Sequence, residues 1–548
     1  MTYLGIDLDN TLIDYESVFP AAANKLNIAL PPSIQTKQQI REFLRLQADG
    51  EESWQRLQGA AYGKFVKDYA KLFPGVKRFF WRCVQNGNKV KVVSHKTEFG
   101  HMDKDKIPLR QVALEFLEKE SLVSKDNPSM CEVIFKNTCE DKISYIAENN
   151  FDWFIDDLPE VVSALAKLEK VKVIHFSQIV EPENKTGNNR IISLSDWQQI
   201  DALINGDWAL AEINKLLKRI LMEEAKEIEK NSSGGNSATY RLTMQDRRTL
   251  KLKVYPIDKN HDRLASEYAA TMYISKNHSN YVNKPLGRDD ELGIGIYEWI
   301  EGTAVTNIND NDINSCVKFL DALHSMREES QFDDFPLASA ACLSGSDIER
   351  QINYRLNKFL DSNIDSNELE LFLKNKLIPI SRKIIDWSIN KWPEDTAFNI
   401  QIPRSQQILS PSDFGFHNSV RHADGTLAFL DFEYFGWDDP VKLISDFSFH
   451  PGMNLSNEQV AYWTKTSLEL YGNHLSQRLR VCRPLYGLIW CLILLNDFNP
   501  QVWHRRLLAK GMIQSCRQNK LASQLTKAEL LLDNISANYR EITWETCH

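Results

Sequence analysis

The sequence predicts two folds in series. An α/β fold with a parallel sheet covers about residues 1–205; an α+β fold follows, strand-rich over 206–305 and mainly helical over 306–548. Three observations predict this. Apolar strands alternate with helical stretches early in the chain, at Tyr3–Leu8, Lys89–Val93, Phe151–Ile155 and Val171–Phe176, as in parallel sheets with helical crossovers. Over 226–256 the pattern becomes strand, Gly-rich turn, strand, turn, strand. From about Asn311 the chain is helical, apart from one loop-and-strand island between Ile408 and Asp439.

The elements follow in order. After Tyr3–Leu8 comes a long, mostly helical insert broken at Pro31-Pro32 and Asp49-Gly50. Glu183–Asn189 is polar and reads as a surface loop, and a helical stretch is expected from Trp197 to about Glu229. A helix at about His261–Lys276 and an apolar strand at Gly293–Glu301 complete the strand-rich part.

Hydrophobic residues at 43% and charged residues at 25% describe a globular chain, and 548 residues suffice for several cores. A net charge of −9, without basic runs, argues against nucleic acid or an anionic membrane surface as the main partner. Nine cysteines without a C-x-x-C pair signal neither a disulfide framework nor a zinc cluster. The N-terminus lacks a basic segment, and the apolar run Leu485–Leu495 is too short to span a bilayer, so a cytoplasmic address is expected.

The first chemical constellation opens at Gly5-Ile6-Asp7-Leu8-Asp9-Asn10-Thr11, two carboxylates directly after an apolar strand. Alone, this is also an Asx turn capping a helix. Ser94 then ends a second strand, Lys142 heads a helix, and Asp156-Asp157 end a third strand. A carboxylate approaches a phosphate dianion only where a cation and a lysine neutralise the charge. This order resembles the haloacid dehalogenase (HAD) superfamily of phosphatases, over about residues 1–205. The resemblance implies a Rossmann-like domain with a helical cap at about 14–88. It makes Asp7 the nucleophile and Asp9 the general acid and base. Ser94 and Lys142 would hold the phosphoryl group, Lys136 being a weaker candidate for the lysine. Asp7, Asp9, Asp156 and Asp157 would bind Mg²⁺.

In the second constellation, Ser232-Ser233-Gly234-Gly235-Asn236-Ser237 is a Gly-rich turn able to offer backbone N–H groups to phosphates, though it is not a Walker A sequence. Lys251 and Lys253 share one face of the next strand, and Glu267 lies on the helix after it. Asp413 and Asn418 lie five apart on a loop, and Asp431 ends an apolar strand, which supplies one base and two metal ligands. Gly436-Trp437-Asp438-Asp439-Pro440, with Asp446 beyond, completes a pattern that resembles aminoglycoside-phosphotransferase and choline-kinase-like kinases over about 206–548. The resemblance implies a bilobal protein-kinase-like fold. ATP would lie against Gly234, Gly235, Asn236, Ser237 and the Lys253–Glu267 clamp, with Glu298 and Ile300 at the hinge. Asp413 would be the base, and Asn418 and Asp431 the Mg²⁺ ligands. Pro411-Ser412 stand where these kinases carry His-Gly before the catalytic Asp. His417 is expected to be structural, and Tyr486, Trp490 and Trp503 to pack the core rather than bind the acceptor.

Together these imply a bifunctional enzyme: an ATP-dependent kinase for a small-molecule hydroxyl, fused to a Mg²⁺-dependent phosphatase. Its partners would be ATP and small molecules, with neither nucleic acid nor membrane. The other readings are a kinase with a regulatory first domain, and a binding scaffold without catalysis.

Overall fold

The computed structural model describes residues 1–123, 131–168, 170–177, 190–231, 237–329, 332, 334–361, 364, 366–500, 502–503 and 517–540. They form two compact units, Met1–Ile213 and Asn214–His548. The division falls later than the expected boundary at 205, and a buried ion cluster is the reason. The Arg82 guanidinium holds Asp201 at 3.1 Å and Glu212 at 2.9 Å and donates to the Gly206 and Asp207 carbonyls, which ties Glu212 to the first unit.

The first unit runs β1 (Tyr3–Ile6), β2 (Ile13–Asp14), α1 (Val18–Lys25), α2 (Lys37–Arg45), α3 (Gly50–Tyr62), α4 (Val66–Tyr69), β3 (Lys71–Leu72), α5 (Val76–Gln85) and β4 (Lys89–His95). It continues through α6 (Leu109–Lys119), β5 (Glu132–Lys136), α7 (Cys139–Glu148), β6 (Trp153–Asp156), α8 (Pro159–Leu165), β7 (Lys172–Phe176), β8 (Ile191–Leu194) and α9 (Trp197–Asn205). Six strands form one sheet in the order β5-β4-β1-β6-β7-β8, every pair parallel. Alternation along each strand buries both faces. Ile6, Val92, Ile155 and Ile174 pack with α5, α6 and α9, while Val93, Phe154 and Val173 pack with α7 and α8. Strands covered on both sides read as apolar runs, which is why these were legible. The edge strand β8 and the outermost strand β5 were not expected. The chain leaves β1 for β4 and β5 on one side and returns to β6 on the other, opening a crevice at the carboxyl ends of β1, β4 and β6.

The helical insert is shorter than the expected 14–88. β2 and β3 pair antiparallel, Ile13 with Leu72 and Asp14 with Lys71, and α1–α4 leave and return between them. α5 belongs to the sheet layer, packing on β4 and α9. Helix α3 meets the loop after β4 backbone to backbone: a Cβ on Gly100 would lie 2.7 Å from the Gly59 Cα, and one on Gly59 3.0 Å from the His101 carbonyl oxygen.

α10 (Leu210–Ile220) ends well before Glu229, correcting the longer helical stretch expected there. The strand β9 (Ala225–Asn231) follows at the edge of its sheet, where Lys226, Glu227 and Glu229 face solvent. β10 (Ala238–Met244), β11 (Thr249–Val254), α11 (Arg263–Asn277), β12 (Pro285–Asp289) and β13 (Ile294–Glu298) come next. The antiparallel sheet has the order β12-β13-β11-β10-β9, with α11 against β12 and β13.

β14 (Thr303–Ala304) leads to α12 (Asp310–Met326), α13 (Gly345–Leu360), α14 (Asn367–Phe372) and α15 (Ile378–Asn390). The island holds β15 (Ile408–Ser410), β16 (Ser419–Arg421), β17 (Leu427–Phe429) and β18 (Gly436–Asp438), paired as β14-β16-β17 and β15-β18. α16 (Pro440–Phe449), α17 (Asn457–Tyr471), α18 (Ser476–Leu494) and α19 (Arg517–Asn538) follow around one core. With its flanks, α18 is long and apolar enough to cross a membrane, more than the run Leu485–Leu495 suggests, and 67% of its apolar window is buried inside the fold. It packs against α13, α15, α16 and α19. The described cysteines are free thiols.

Gly100→Ala should push α3 off the loop after β4. Urea unfolding is expected to show a loss of about 1–3 kcal/mol, the usual range for overpacking, with faster proteolysis within α2 and α3. An unchanged midpoint would mean that the close approach is slack.

Candidate functional sites

In the first unit, Asp7 follows β1 and its N–H still pairs with the Ile155 carbonyl at 2.9 Å, so it stands at the crevice beside β6. Asp156 ends β6. Thr138 caps α7, accepting from the Asp141 N–H, and Lys142 sits in the first turn pointing under the strand ends. Its ammonium is fully buried and bridges Asp7 Oδ1 at 2.5 Å and Asp156 Oδ2 at 2.6 Å. Burial works against the Lys142 charge, but the two carboxylates outweigh it and raise its pKa. Burial also pushes Asp7 up to about 6, with Lys142 opposing, and Asp157 up to about 8, with Asp7 and Asp156 adding to the rise. Asp156 doubles as a loop cap, accepting from the Leu158 N–H at 3.0 Å.

Ser94 is buried at the end of β4 and lines the same cavity as Asp7, Asp9 and Asp157, a space of ≈ 420 Å³. Lys136 lies instead over the Tyr145 ring, 4.1 Å from its centroid. Carboxylate oxygens of Asp7, Asp156 and Asp157 come within 4.8 Å of one another, an all-oxygen donor set suited to a hard divalent cation.

Asp9 is placed differently from the expected metal ligand. Lys96 Nζ holds both its oxygens, at 2.9 and 2.7 Å, and the Tyr15 hydroxyl donates at 2.6 Å. Burial alone would raise the Asp9 carboxyl, but the charge and hydrogen bond of Lys96 and that of Tyr15 hold it below the usual range. It is an ionised carboxylate with its oxygens engaged.

In the second unit, β11 carries Lys253 and α11 carries Glu267, both buried. Lys253 Nζ lies 2.6 Å from Glu267 Oε2, 2.6 Å from Asp431 Oδ1 and 3.2 Å from Glu433 Oε2. Burial opposes its charge, and the three acids raise its pKa well above the ordinary value. Glu267, Asp431 and Glu433 cluster around this ammonium, so they form a lysine clamp rather than a vacant acidic cluster. Burial raises Asp431 to about 6, against the pull of Lys253. Its neighbour on this strand, Lys251, is also buried, 3.6 Å from Glu267, and burial lowers its pKa.

Gly234, Gly235 and Asn236 lie outside the described residues. Ser237 donates to Glu433 Oε2 at 2.8 Å, and Arg263 donates to Glu433 Oε1 at 2.6 Å. At the expected hinge, the Glu298 side chain is exposed and its N–H donates to the Lys284 carbonyl. The half-buried Ile300 has no backbone partner among the described residues.

Asp413 begins the turn before Asn418, whose Nδ2 donates to the Asp413 carbonyl at 2.9 Å. That leaves Asn418 Oδ1 as the side chain's acceptor. Asn418 joins Asp431 through the backbone, the Leu430 N–H donating to the Asn418 carbonyl at 2.8 Å. His417 Nε2 lies 3.1 Å from Asp413 Oδ1, and the His450 ring stacks on His417 at 3.7 Å. The His450 Nδ1 accepts from the Gly452 N–H, so the neutral ring carries its proton on Nε2, 3.8 Å from Asp413. Burial presses the Asp413 pKa up, but His417, His450 and Asn418 hold it below the usual carboxylate range. Ser412 takes a left-handed φ of 67° immediately before Asp413.

The acids that closed the sequence pattern are structural. Asp438 and Asp446 hold Lys442 at 3.1 and 3.0 Å, and Asp439 pairs with Arg478 at 2.5 Å and caps α16. Tyr486 and Trp503 are buried. Trp490 donates to Asp446 at 2.8 Å and meets the His450 ring at 86°, their centroids 5.0 Å apart.

Five functional candidates escaped the sequence reading: Tyr15, Lys37, Lys96, Glu433 and His450. Lys96, two residues past Ser94, and Glu433, two past Asp431, repeat the spacing of Asp7 and Asp9 and were findable. Lys37 and His450 carry no local signal.

Residues 227–469, less than half of the chain, match the phosphotransferase enzyme family. That stretch is a kinase-like phosphotransferase domain. No curated protein matches the chain. Among solved structures, spectinomycin phosphotransferase with ADP and spectinomycin is 13% identical, with a TM-score of 0.42, over 61% of this chain and 99% of that one. Amicoumacin kinase with AMP-PNP and Ca²⁺ is 13% identical, TM-score 0.41, over 61% and 98%. Choline kinase from Streptococcus pneumoniae is 14% identical, TM-score 0.37, over 59% and 98%.

Lys142→Met strands Asp7 and Asp156 without their counter-charge. The first unit should lose about 3–5 kcal/mol in urea unfolding, and adding Asp156→Asn should recover part of it. No loss would mean that the acids neutralise themselves at no cost.

Burial and His417 lower the His450 pKa from 6.5 to about 4, with Asp413 opposing. The unfolded chain then binds a proton that the folded unit refuses between these values, so stability falls as pH drops from 6.5 to 4 and levels below. His450→Gln should remove up to about 3 kcal/mol of that acid sensitivity, read as the difference between variant and wild-type unfolding across this range. Parallel pH profiles would contradict the assignment.

Proposed function

We propose that the chain carries two phosphoryl-transfer centres: an ATP-dependent kinase for a small-molecule hydroxyl in the second unit, and a phosphomonoester hydrolase of HAD type in the first. The observation that carries the kinase is Lys253, joined at once to Glu267 of α11 and to Asp431 beside the Asp413–Asn418 loop. Lysine on a strand, Glu on the next helix, then base and acid on adjacent loops is the arrangement that positions a nucleotide triphosphate. Asp413, kept ionised, accepts the proton of the acceptor hydroxyl. That oxygen bonds to the γ-phosphorus, the bond from phosphorus to the bridging oxygen breaks, and ADP leaves. Lys253 holds the phosphates, and the Ile300 backbone N–H is available to the adenine. His417, placed after the base, supports the Asp413 carboxylate, a task open at Pro411-Ser412.

In the first unit, an Asp7 oxygen attacks the phosphorus, the ester P–O bond breaks and the alcohol leaves with a proton from Asp9. Water then cleaves the aspartyl-phosphate, giving its proton to Asp9 and releasing phosphate. Asp9 rests as the carboxylate, the form that activates water. The proton it donates is carried in by the ester's phosphate monoanion, and the one it takes from water in the second step leaves with the released phosphate. Ser94 and Lys142 steady the transferring group. Mg²⁺, held by oxygens of Asp7, Asp156 and Asp157 in one unit and of Asn418 and Asp431 in the other, would screen phosphate from these carboxylates. Two such centres acting on one phosphate would only consume ATP, so they act at different positions or on successive intermediates.

The test is a paired screen with Mg²⁺, phosphorylated sugars and small alcohols, with and without ATP. Asp413→Asn should cut ATP-dependent transfer by about 10²–10⁴-fold and spare phosphate release; Asp7→Asn should abolish phosphate release and spare transfer. Phosphate release that survives Asp7→Asn would remove the hydrolase and leave a kinase with a regulatory first unit. Transfer that survives Asp413→Asn would remove Asp413 as the base.

A further inference from the structure

The cavity over Asp7 has a floor and a roof of different chemistry. Its floor is the charged set at the strand ends; its roof is the helical insert, which supplies Lys37 from α2 and Gln55, Gln58 and Tyr62 from α3. The phosphoryl group of an ester at Asp7 occupies the floor, so the roof meets the leaving group. The Gly59–Gly100 contact closes the roof onto the loop after β4. At ≈ 420 Å³ the space is near the small end of ligand pockets and admits one small molecule.

The roof is built for hydroxyl groups. The Gln58 amide has no hydrogen-bond partner among the described residues, and Gln55 spends one N–H on a long 3.4 Å bond to Glu51. Lys37 Nζ uses one donor on the Tyr62 hydroxyl at 2.9 Å and keeps two. Leu109 and Leu158 are the aliphatic side chains among the described lining residues, too few to hold an acyl chain. Of the rings that line it, Tyr62, His95 and His101, the phenol is already engaged: Tyr15 packs against it at 4.6 Å and Lys96 lies 4.8 Å from its centroid. A nucleobase or phenyl ring finds no free face on Tyr62, and the amides of Gln55 and Gln58 line the space where it would need apolar contacts.

We infer that this cavity takes the phosphate ester of a polyhydroxylated small molecule, a sugar or polyol of about hexose size, with Gln55, Gln58 and Lys37 reading its hydroxyls. The inference rests on the hydrolase reading of the first unit and adds its substrate class. A site that hydrogen-bonds hydroxyls discriminates strongly against analogues without them, because its polar groups are then left unpaired.

The full-length protein with Mg²⁺ and no ATP should be offered hexose and heptose monophosphates, nucleoside monophosphates and p-nitrophenyl phosphate. Sugar phosphates should lead in kcat/KM by about tenfold or more, the worth of one or two well-made hydrogen bonds. Gln58→Leu should cut the ratio of sugar-phosphate to aryl-phosphate kcat/KM by about tenfold, mostly through KM. Calorimetric titration of the Asp7→Asn protein should show sugar phosphates binding and losing affinity when Gln58→Leu is added, whereas nucleotide binding, which belongs to the second unit, should be unchanged by Gln58→Leu. Equal turnover of nucleotides and sugar phosphates, or a Gln58→Leu ratio equal to wild type, overturns the substrate class while leaving the hydrolase intact. No hydrolysis of any ester overturns the hydrolase, and sugar-phosphate binding to the Asp7→Asn protein then decides whether the cavity still selects this class.

Discussion

A dry ammonium ion shared among carboxylates is the constraint on which both units depend. Removing a lysine charge from water costs several kcal/mol unless opposite charges follow it into the interior. Lys142 draws Asp7 from the end of β1 and Asp156 from the end of β6 to one point beneath α7. Lys253 draws Glu267 from α11 and Asp431 and Glu433 from the loop after β17. In each unit this pairing joins elements far apart in sequence. Each site is crowded with acids, and the buried lysine is the part of the fold that neutralises them.

The same burial sorts the carboxylates by protonation. Asp7 and Asp157, dry and beside other acids, are pushed up to about 6 and about 8, positions where a cation would be welcome. Asp9 and Asp413 face donors, Lys96 and Tyr15 for one and His417 and Asn418 for the other, and both are held below the usual range. The difference comes from what each oxygen touches, since the residue type is the same.

Legibility followed locality. Asp7, Ser94, Asp156 and Asp431 stood out because each lies at or just past the end of a short apolar strand, and Lys142 because it heads a capped helix. Those signals sit within a few residues of the group they mark. Lys37 was not found because its helix announces only an amphipathic insert; its approach to the site is set by α2 and α3 folding back over the strand ends. His450 reaches Asp413 because α16 ends beside the Asp413 turn. The helical stretch expected to about Glu229 failed for the opposite reason: charged residues on an exposed edge strand carry little apolar periodicity, so propensity misleads there.

By itself the sequence determined the buried strands and the helices between them, the acids and lysines at their ends, and the strand-turn-strand change that separates two kinds of fold, because these depend on local periodicity and caps. Tertiary structure alone decided that α5 joins the sheet layer, that Glu212 belongs to the first unit through Arg82, and that Asp9 is held by Lys96. It also decided that Lys253 meets three acids at once. Each of these is a contact between residues distant in the chain, and its energy comes from burial of paired charge, which no single segment can express.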